Sequence, residues 1–269
     1  MRIALIGHTG LVGTNLMRHT DFTDLYNSKN IAEIRGKVFD VVFCAGASGT
    51  KWFANKHPDS DWESIAHLIN CLKGTQVKKF VLISTVDTYP IPIEVDETIP
   101  TSGDDNHHYG RHRYLLEKFV SDNYLDYHII RLPIIFGKSL KKNMIFDLMF
   151  NHRVEFLDPN RIVQIYDLDN LCRDIDKIIA YKANIANFVT QPVSISEVAS
   201  KCFGINLPAE KPYVYYNVKT VYSSLFGRDD GYLYKSNEVI KQIIKFSKTK
   251  TQRIPKIINN RIFKIEFYN

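Results

Sequence analysis

Gly7, Gly10 and Gly13 follow directly on the apolar run Ile3–Ile6 and open an apolar-periodic stretch at Leu11, Val12 and Leu16. That order of residues predicts strand, tight turn and helix. Gly7 permits the turn, Gly10 lets a backbone approach a pyrophosphate, and Gly13 lets the helix pack closely on the strand. The start of such a helix offers free N–H groups and the positive end of its dipole to phosphate oxygens.

Apolar runs and helical stretches alternate further along. Strands are expected at Thr23–Tyr26, Phe39–Cys44, Phe80–Ser84 and Tyr127–Leu132, with helical pieces near Ile31–Arg35, Trp62–Leu72 and Tyr109–Asn123. This alternation predicts an α/β fold: a doubly wound parallel sheet of the Rossmann type with helices on both faces. After about residue 134 the pattern loosens. A strand near Ile162–Tyr166 and helices near 170–180, 196–202 and 237–246 suggest a small C-terminal substrate lobe over the sheet edge where such folds bind ligands. The expected division is a dinucleotide-binding domain at 1–135, with a strand and helix returning near 160–182, a lobe at 136–247, and a basic tail at 248–269.

Charge placement narrows the function. The chain carries +6 overall. Residues 248–269 hold six basic side chains and one acidic one, and the remainder holds 29 basic against 28 acidic. The folded part is therefore close to neutral, which argues against nucleic acid as a partner. The tail mixes its charge with Ile254, Ile257, Ile258, Ile262 and Phe263, a composition that suits a membrane surface, a partner protein or simple solvation. The four scattered cysteines form no CxxC pair and the adjacent histidines 107 and 108 suit no shared ligand set, so no metal is expected. A reducing, cytoplasmic location is the simplest one.

The chemical signal lies between Ser84 and Arg113. Thr85 follows a buried strand, and Tyr109 and Arg113 share one face at the start of a helix. A phenol, a cation and a hydroxyl make an acid/base set, and the cation is expected to lower the tyrosine pKa.

In sequence order, Gly7-x-x-Gly10-x-x-Gly13, Ser84-Thr85-x-x-x-Tyr89, Tyr109-x-x-x-Arg113, Arg131-Leu-Pro-Ile-Ile-Phe-Gly137 and Tyr166-x-x-Asp169 resemble an extended short-chain dehydrogenase/reductase of the NAD-dependent epimerase/dehydratase group. The resemblance spans about residues 1–180. It implies NAD or NADP and a nucleotide-sugar substrate. It makes Tyr109 the proton donor or acceptor, puts Thr85 in the place of the family's catalytic serine or threonine, and sets Arg131–Gly137 beside nicotinamide and substrate. It also implies a homodimer with the helix from Tyr109 at the contact. Arg113 departs from the pattern, since the family has lysine there, and a planar fork does not replace a compact ammonium.

The expected dinucleotide contacts are Gly7, Thr9, Gly10, Leu11, Val12, Gly13, Asn27, Ser28, Lys29, Ala45, Gly46, Ala47, Ser84 and Pro133. No acid follows the second strand to hold a ribose diol, whereas Ser28 and Lys29 suit a 2′-phosphate, which favours NADP over NAD. The expected substrate contacts are Asp87, Arg131, Lys142 and Asn143. Three functions stay open: an NADPH-dependent keto-sugar reductase for glycan precursors, an epimerase or dehydratase with tightly held NAD, and a dinucleotide-binding sensor or scaffold without turnover.

Overall fold

A computed structural model describes residues 1–251. The chain runs β1 (Ile3–Ile6), α1 (Leu11–Leu16), β2 (Asp24–Tyr26), β3 (Val38–Cys44), α2 (Lys51–Lys56), α3 (Pro58–Leu72), β4 (Gln76–Thr85), β5 (Ile93–Val95), α4 (His108–Asn123) and β6 (Tyr127–Leu132). It continues through β7 (Ile134–Phe136), α5 (Met144–Phe150), β8 (Arg161–Val163), β9 (Ile165–Asp167), α6 (Leu171–Tyr181) and β10 (Ile185–Asn187). The last elements are β11 (Val193–Ser194), α7 (Ile195–Phe203), β12 (Tyr213–Val214), β13 (Asn217–Val218) and α8 (Ser236–Thr251). The basic tail expected at 248–269 lies outside the described residues beyond Thr251.

Six strands form one parallel sheet in the order β10-β6-β4-β3-β1-β2. Their side chains alternate between two cores. Ala4, Ile6, Val42, Cys44, Phe80 and Leu82 pack with Ile65, Leu116 and Val120 of α3 and α4. Leu5, Val81, Ile83, Ile130 and Leu132 pack with Leu16 of α1 and Leu171, Ile175 and Ile178 of α6. The sheet is thus covered on both faces, as its near-continuous apolar strands require. From β1 the chain moves outward to β2, then crosses back to β3 and on to β10. The strand order therefore reverses between β1 and β3, and a crevice opens at their carboxyl ends. Register places Ile6 beside Tyr26 and Cys44, and Thr85 beside Leu132, so the first turn and the end of β4 share that edge.

One expectation changes. The run Ile162–Tyr166 is two strands of two small sheets, and neither joins the large one. The break is the fully buried Gln164, whose side chain donates to Thr190 O and Val218 O and accepts from Val218 N–H. A side chain satisfied in this way turns the backbone out of one ladder and into the next. The sixth sheet strand is instead β10. The segment Leu225–Tyr234 packs on α6: the Tyr234 hydroxyl donates to Asp174 at 2.6 Å. Among the described residues no helix is long and apolar enough to cross a membrane. The lobe has its own core, in which Phe136, Ile145, Val163, Val189, Val198 and Val239 are fully or almost fully buried.

Candidate active site

The glycine turn is built around close approaches. Gly7 sits at φ 85°, and a side chain there would put Cβ 2.2 Å from Ala45 O. Its N–H donates to Tyr26 O at 2.8 Å, tying the turn to β2. At Gly13 a Cβ would lie 2.2 Å from Gly7 O, so this glycine lets α1 press onto the turn. Gly10 differs: a Cβ would meet only Gly7 O, at 3.3 Å, so what its bare backbone leaves free is surface. Gly10 is the N-cap of α1 and supplies no side chain, which leaves the first-turn N–H groups of Leu11, Val12 and Gly13 without helical partners. The donors and the missing Cβ atoms fit a pyrophosphate. A Gly13→Ala change should drive the turn apart and weaken dinucleotide binding at least tenfold, read by fluorescence titration with NADPH; ordinary affinity in that variant would refute the cradle.

At the end of β2, Asn27 and Asn30 shape the turn. Asn27 N–H donates to Asn30 Oδ1 at 2.7 Å, and Lys29 N–H donates to Asn27 Oδ1 at 2.8 Å. Ser28 and Lys29 are exposed, as is Thr9 on the cradle. Ala45, Gly46 and Ala47 follow β3, with Ala45 N–H donating to Ile6 O at 2.9 Å.

The acid/base set forms where α4 begins. A Cβ at Gly110 would lie 2.1 Å from Asp87 O, so the absent side chain lets the first turn of α4 meet the turn after β4. Asn106 fastens that contact by donating to Asp87 O and Thr88 O. Tyr109 is thereby buried beside Thr85. Burial pushes its phenol up to about 12; the negative charges of Asp87 and Asp61 add to this, while Arg113 and a hydrogen bond with Thr85 act the other way. The expectation of a lowered pKa is therefore corrected: desolvation outweighs the cation.

Arg113 lies over the Tyr109 ring, 4.0 Å from its centroid. Its fork is engaged by groups of the protein. The terminal nitrogens donate to both oxygens of Asp61, at 2.5 and 2.8 Å, and to Ser48 O at 2.5 Å. His112 Nδ1 shares Asp61 at 2.8 Å. Burial would raise the Asp61 carboxyl, but the hydrogen bonds from Arg113 and His112 hold it below the ordinary range. Arg113 Nε alone has no partner although buried, an orphaned donor beside the phenol.

On the other side of Thr85 lies Asp87. Its N–H donates to Thr85 Oγ1 at 3.1 Å, and the Thr85 hydroxyl faces Asp87 Oδ2 at 3.3 Å. Lys51 Nζ and the Tyr216 hydroxyl each donate to Asp87 Oδ1 at 2.7 Å, and His107 Nε2 stands 3.9 Å away. Burial opposes ionisation, yet His107, Lys51 and Tyr216 together hold the carboxyl at about 2.

The sequence profile of the NAD dependent epimerase/dehydratase family matches residues 19–155, just over half of the sequence. The chain belongs to that family. No curated protein matches the sequence. Among solved structures, the fold is similar to dTDP-4-dehydrorhamnose reductase from Yersinia enterocolitica, with a TM-score of 0.67 at 16% identity, covering 93% of this chain and 99% of that one. The same enzyme from Bacillus anthracis, in complex with NADP, superposes with a TM-score of 0.70 at 18% identity over 92% and 98% of the two chains. UDP-glucose 4-epimerase from Thermotoga maritima, with UDP-glucose, gives 0.68 at 14% identity over 93% and 100%. At such identities the likeness is one of fold.

Several residues expected at the ligand of this epimerase/dehydratase-family protein are committed elsewhere. Arg131 is almost fully buried and paired with Glu117 at 2.6 Å, under the same lid of contacts as Thr101 and the Tyr89 ring. In this structure its guanidinium forms a buried ion pair within the fold. The Ser84 hydroxyl donates to Glu117 of that pair at 2.5 Å. Asn143 stands at φ 118° and spends its side chain as the cap of α5, accepting from Ile145 and Phe146 N–H and donating to Ile135 O. Lys142 reaches across to the Thr50 hydroxyl. Pro133 is half-buried between β6 and β7. A groove of about 220 Å³ opens on the lobe beside Asn143, Phe156, Asp158, Arg161 and Tyr215.

Sequence reasoning missed Lys51, Asp61, Glu117 and Tyr216. Lys51 follows the Ala45–Ala47 loop by a few residues, and Tyr216 sits in an aromatic run, but neither carries a spacing that marks it. Asp61 and Glu117 are acids on helix faces that otherwise read as core, a signal that buried cations require them.

Proposed function

We propose that the protein is an NADPH-dependent reductase of a keto group on a nucleotide-linked sugar. The observation that carries this reading is the Thr85–Tyr109 pair at the carboxyl edge of the sheet, next to the glycine cradle, with a phenol that stays protonated through the physiological range. A protonated phenol is an acid, suited to giving its proton to a developing alkoxide. When bound, the dinucleotide supplies the hydride. Gly7, Gly10, Gly13 and the first-turn N–H groups would hold its pyrophosphate; Ala45, Gly46, Ala47 and Pro133 would line its path. Ser28 and Lys29 would hold the 2′-phosphate. The NADP in the Bacillus anthracis structure is consistent with that choice.

The test is consumption of NADPH, followed by absorbance, with nucleotide-linked keto-sugars. Cofactor that co-purifies and is not consumed would identify an epimerase or dehydratase instead. Lys29→Glu should weaken NADPH binding about tenfold and leave NADH binding unchanged, since a charge-assisted contact to phosphate is lost; equal effects on both dinucleotides would refute the 2′-phosphate site.

One observation favours a second reading. Arg113 occupies the family's lysine place and its fork is held by Asp61 and Ser48. A dinucleotide-binding module without turnover would show normal NADPH affinity and no consumption with any keto-sugar.

A further inference from the structure

With the Arg113 fork bound to Asp61, a second cation is linked to Thr85 by another route, through Asp87. Lys51, at the start of α2, contacts Asp87 at 2.7 Å and the Tyr216 hydroxyl at 3.2 Å. Asp87 in turn holds the Thr85 hydroxyl twice, its backbone N–H donating to Thr85 Oγ1 and its carboxylate facing the same hydroxyl. Three parts of the fold therefore meet at one carboxylate: α2, the turn after β4, and the lobe through Tyr216. The adjoining Tyr215 lines the lobe groove, its ring 4.7 Å from that of Tyr216.

We propose that Lys51 and Asp87 are the positioning pair of this site: Asp87 orients the Thr85 hydroxyl and keeps the proton on Tyr109, and Lys51 sets how strongly it does so. The inference rests on Tyr109 being the acid of the reaction proposed above. Neither residue is placed on the substrate; both act through Thr85 and through charge on the phenol. Asp87 is buried and ionised, so its field disfavours a phenolate nearby, and Lys51 offsets that field without cancelling it. The side chains that face the phenol otherwise are Arg113 above its ring, Asp61 of α3, the Thr85 hydroxyl, and Tyr216 of the lobe; His107 approaches Asp87, and His112 approaches Asp61.

The pair makes opposite predictions for its two members, which a role in packing would not. Tyr109 is replaced site-specifically by a trifluorinated tyrosine, whose more acidic phenol titrates where the protein is folded, and its fluorine NMR shift is followed against pH. In this background Asp87→Asn should lower the titration midpoint by about one pH unit, and Lys51→Met should raise it by about one unit. Lys51→Arg should restore the starting value. Shifts of the same sign, or no shift in either variant, overturn the proposal. Should one variant fail to fold, the sign in the other still decides. The measurement needs neither substrate nor turnover. A protein that consumes no NADPH but shows the opposed shifts refutes the reductase reading alone, and one that consumes NADPH without them refutes the positioning pair alone.

Discussion

Tyr109→Phe is expected to lower kcat for keto-sugar reduction by about 100- to 10,000-fold, the range general acids supply, while NADPH affinity stays within a factor of two. The argument runs from packing. The phenol is buried and its hydroxyl faces Thr85 at the sheet edge, while the ring is held by the Arg113 guanidinium. Phenylalanine keeps the ring, its stacking with Arg113 and the fold, and removes only the proton that the reaction consumes. Because that proton is held to about pH 12, the wild-type rate should show no loss from tyrosine ionisation up to about pH 10. Steady-state kinetics with NADPH titration in parallel checks both halves. An unchanged kcat would remove Tyr109 from the chemistry, and a matching fall in NADPH affinity would make it a binding residue.

Asp61→Ala is expected to destabilise the protein by about 3–5 kcal/mol, because it leaves Arg113 and His112 buried without their shared carboxylate. Asp61 and Arg113 are 5% and 3% exposed, so water cannot replace the lost partner. The cost comes mainly from the stranded charge. Asp61→Ala combined with Arg113→Leu should therefore recover most of the loss, since an apolar pair removes the charge along with its partner. Urea midpoints of the three proteins measure this, and a double variant no more stable than Asp61→Ala would refute it. The sign with pH follows. The folded-state pKa of Asp61 lies below its unfolded value, so its contribution is complete above the ordinary carboxylate range and is lost as pH falls through the depressed value. Asp87, held at about 2, adds a second acid-labile contribution, lost as pH falls through that value.

The two effects touch one residue from opposite sides. Arg113 pairs with Asp61 through its fork and lies over the Tyr109 ring with its face, and one planar group makes both contacts. A lysine there could not fork onto both Asp61 oxygens. Asp61 is thus a partner matched to the arginine at position 113.

The strands of the large sheet were legible up to β6 because each is an apolar run closed by a turn, and the glycine turn was legible because the close approach of Gly13 to Gly7 O lies within seven residues. The pairing of Thr85 with Tyr109 was legible for the same local reason: each sits at the end of a clearly marked element. The sixth strand was not, since Ile185–Asn187 is three residues long and its pairing with β6 is a matter of sheet order. Gln164 read as part of one strand because its break depends on carbonyls of Thr190 and Val218, far along the chain.

The amino-acid sequence alone determined the α/β alternation, the phosphate-sized turn after β1 and the identity of the phenol and hydroxyl at the sheet edge. Only the tertiary structure decided where the buried charges go: Arg113 to Asp61, Arg131 to Glu117, and Asp87 to Lys51 and Tyr216. Periodicity reports which face of an element is apolar. The partner of a buried charge is set by which distant elements the sheet order brings within about 3 Å, and hydrogen bonding at that range carries no local signature.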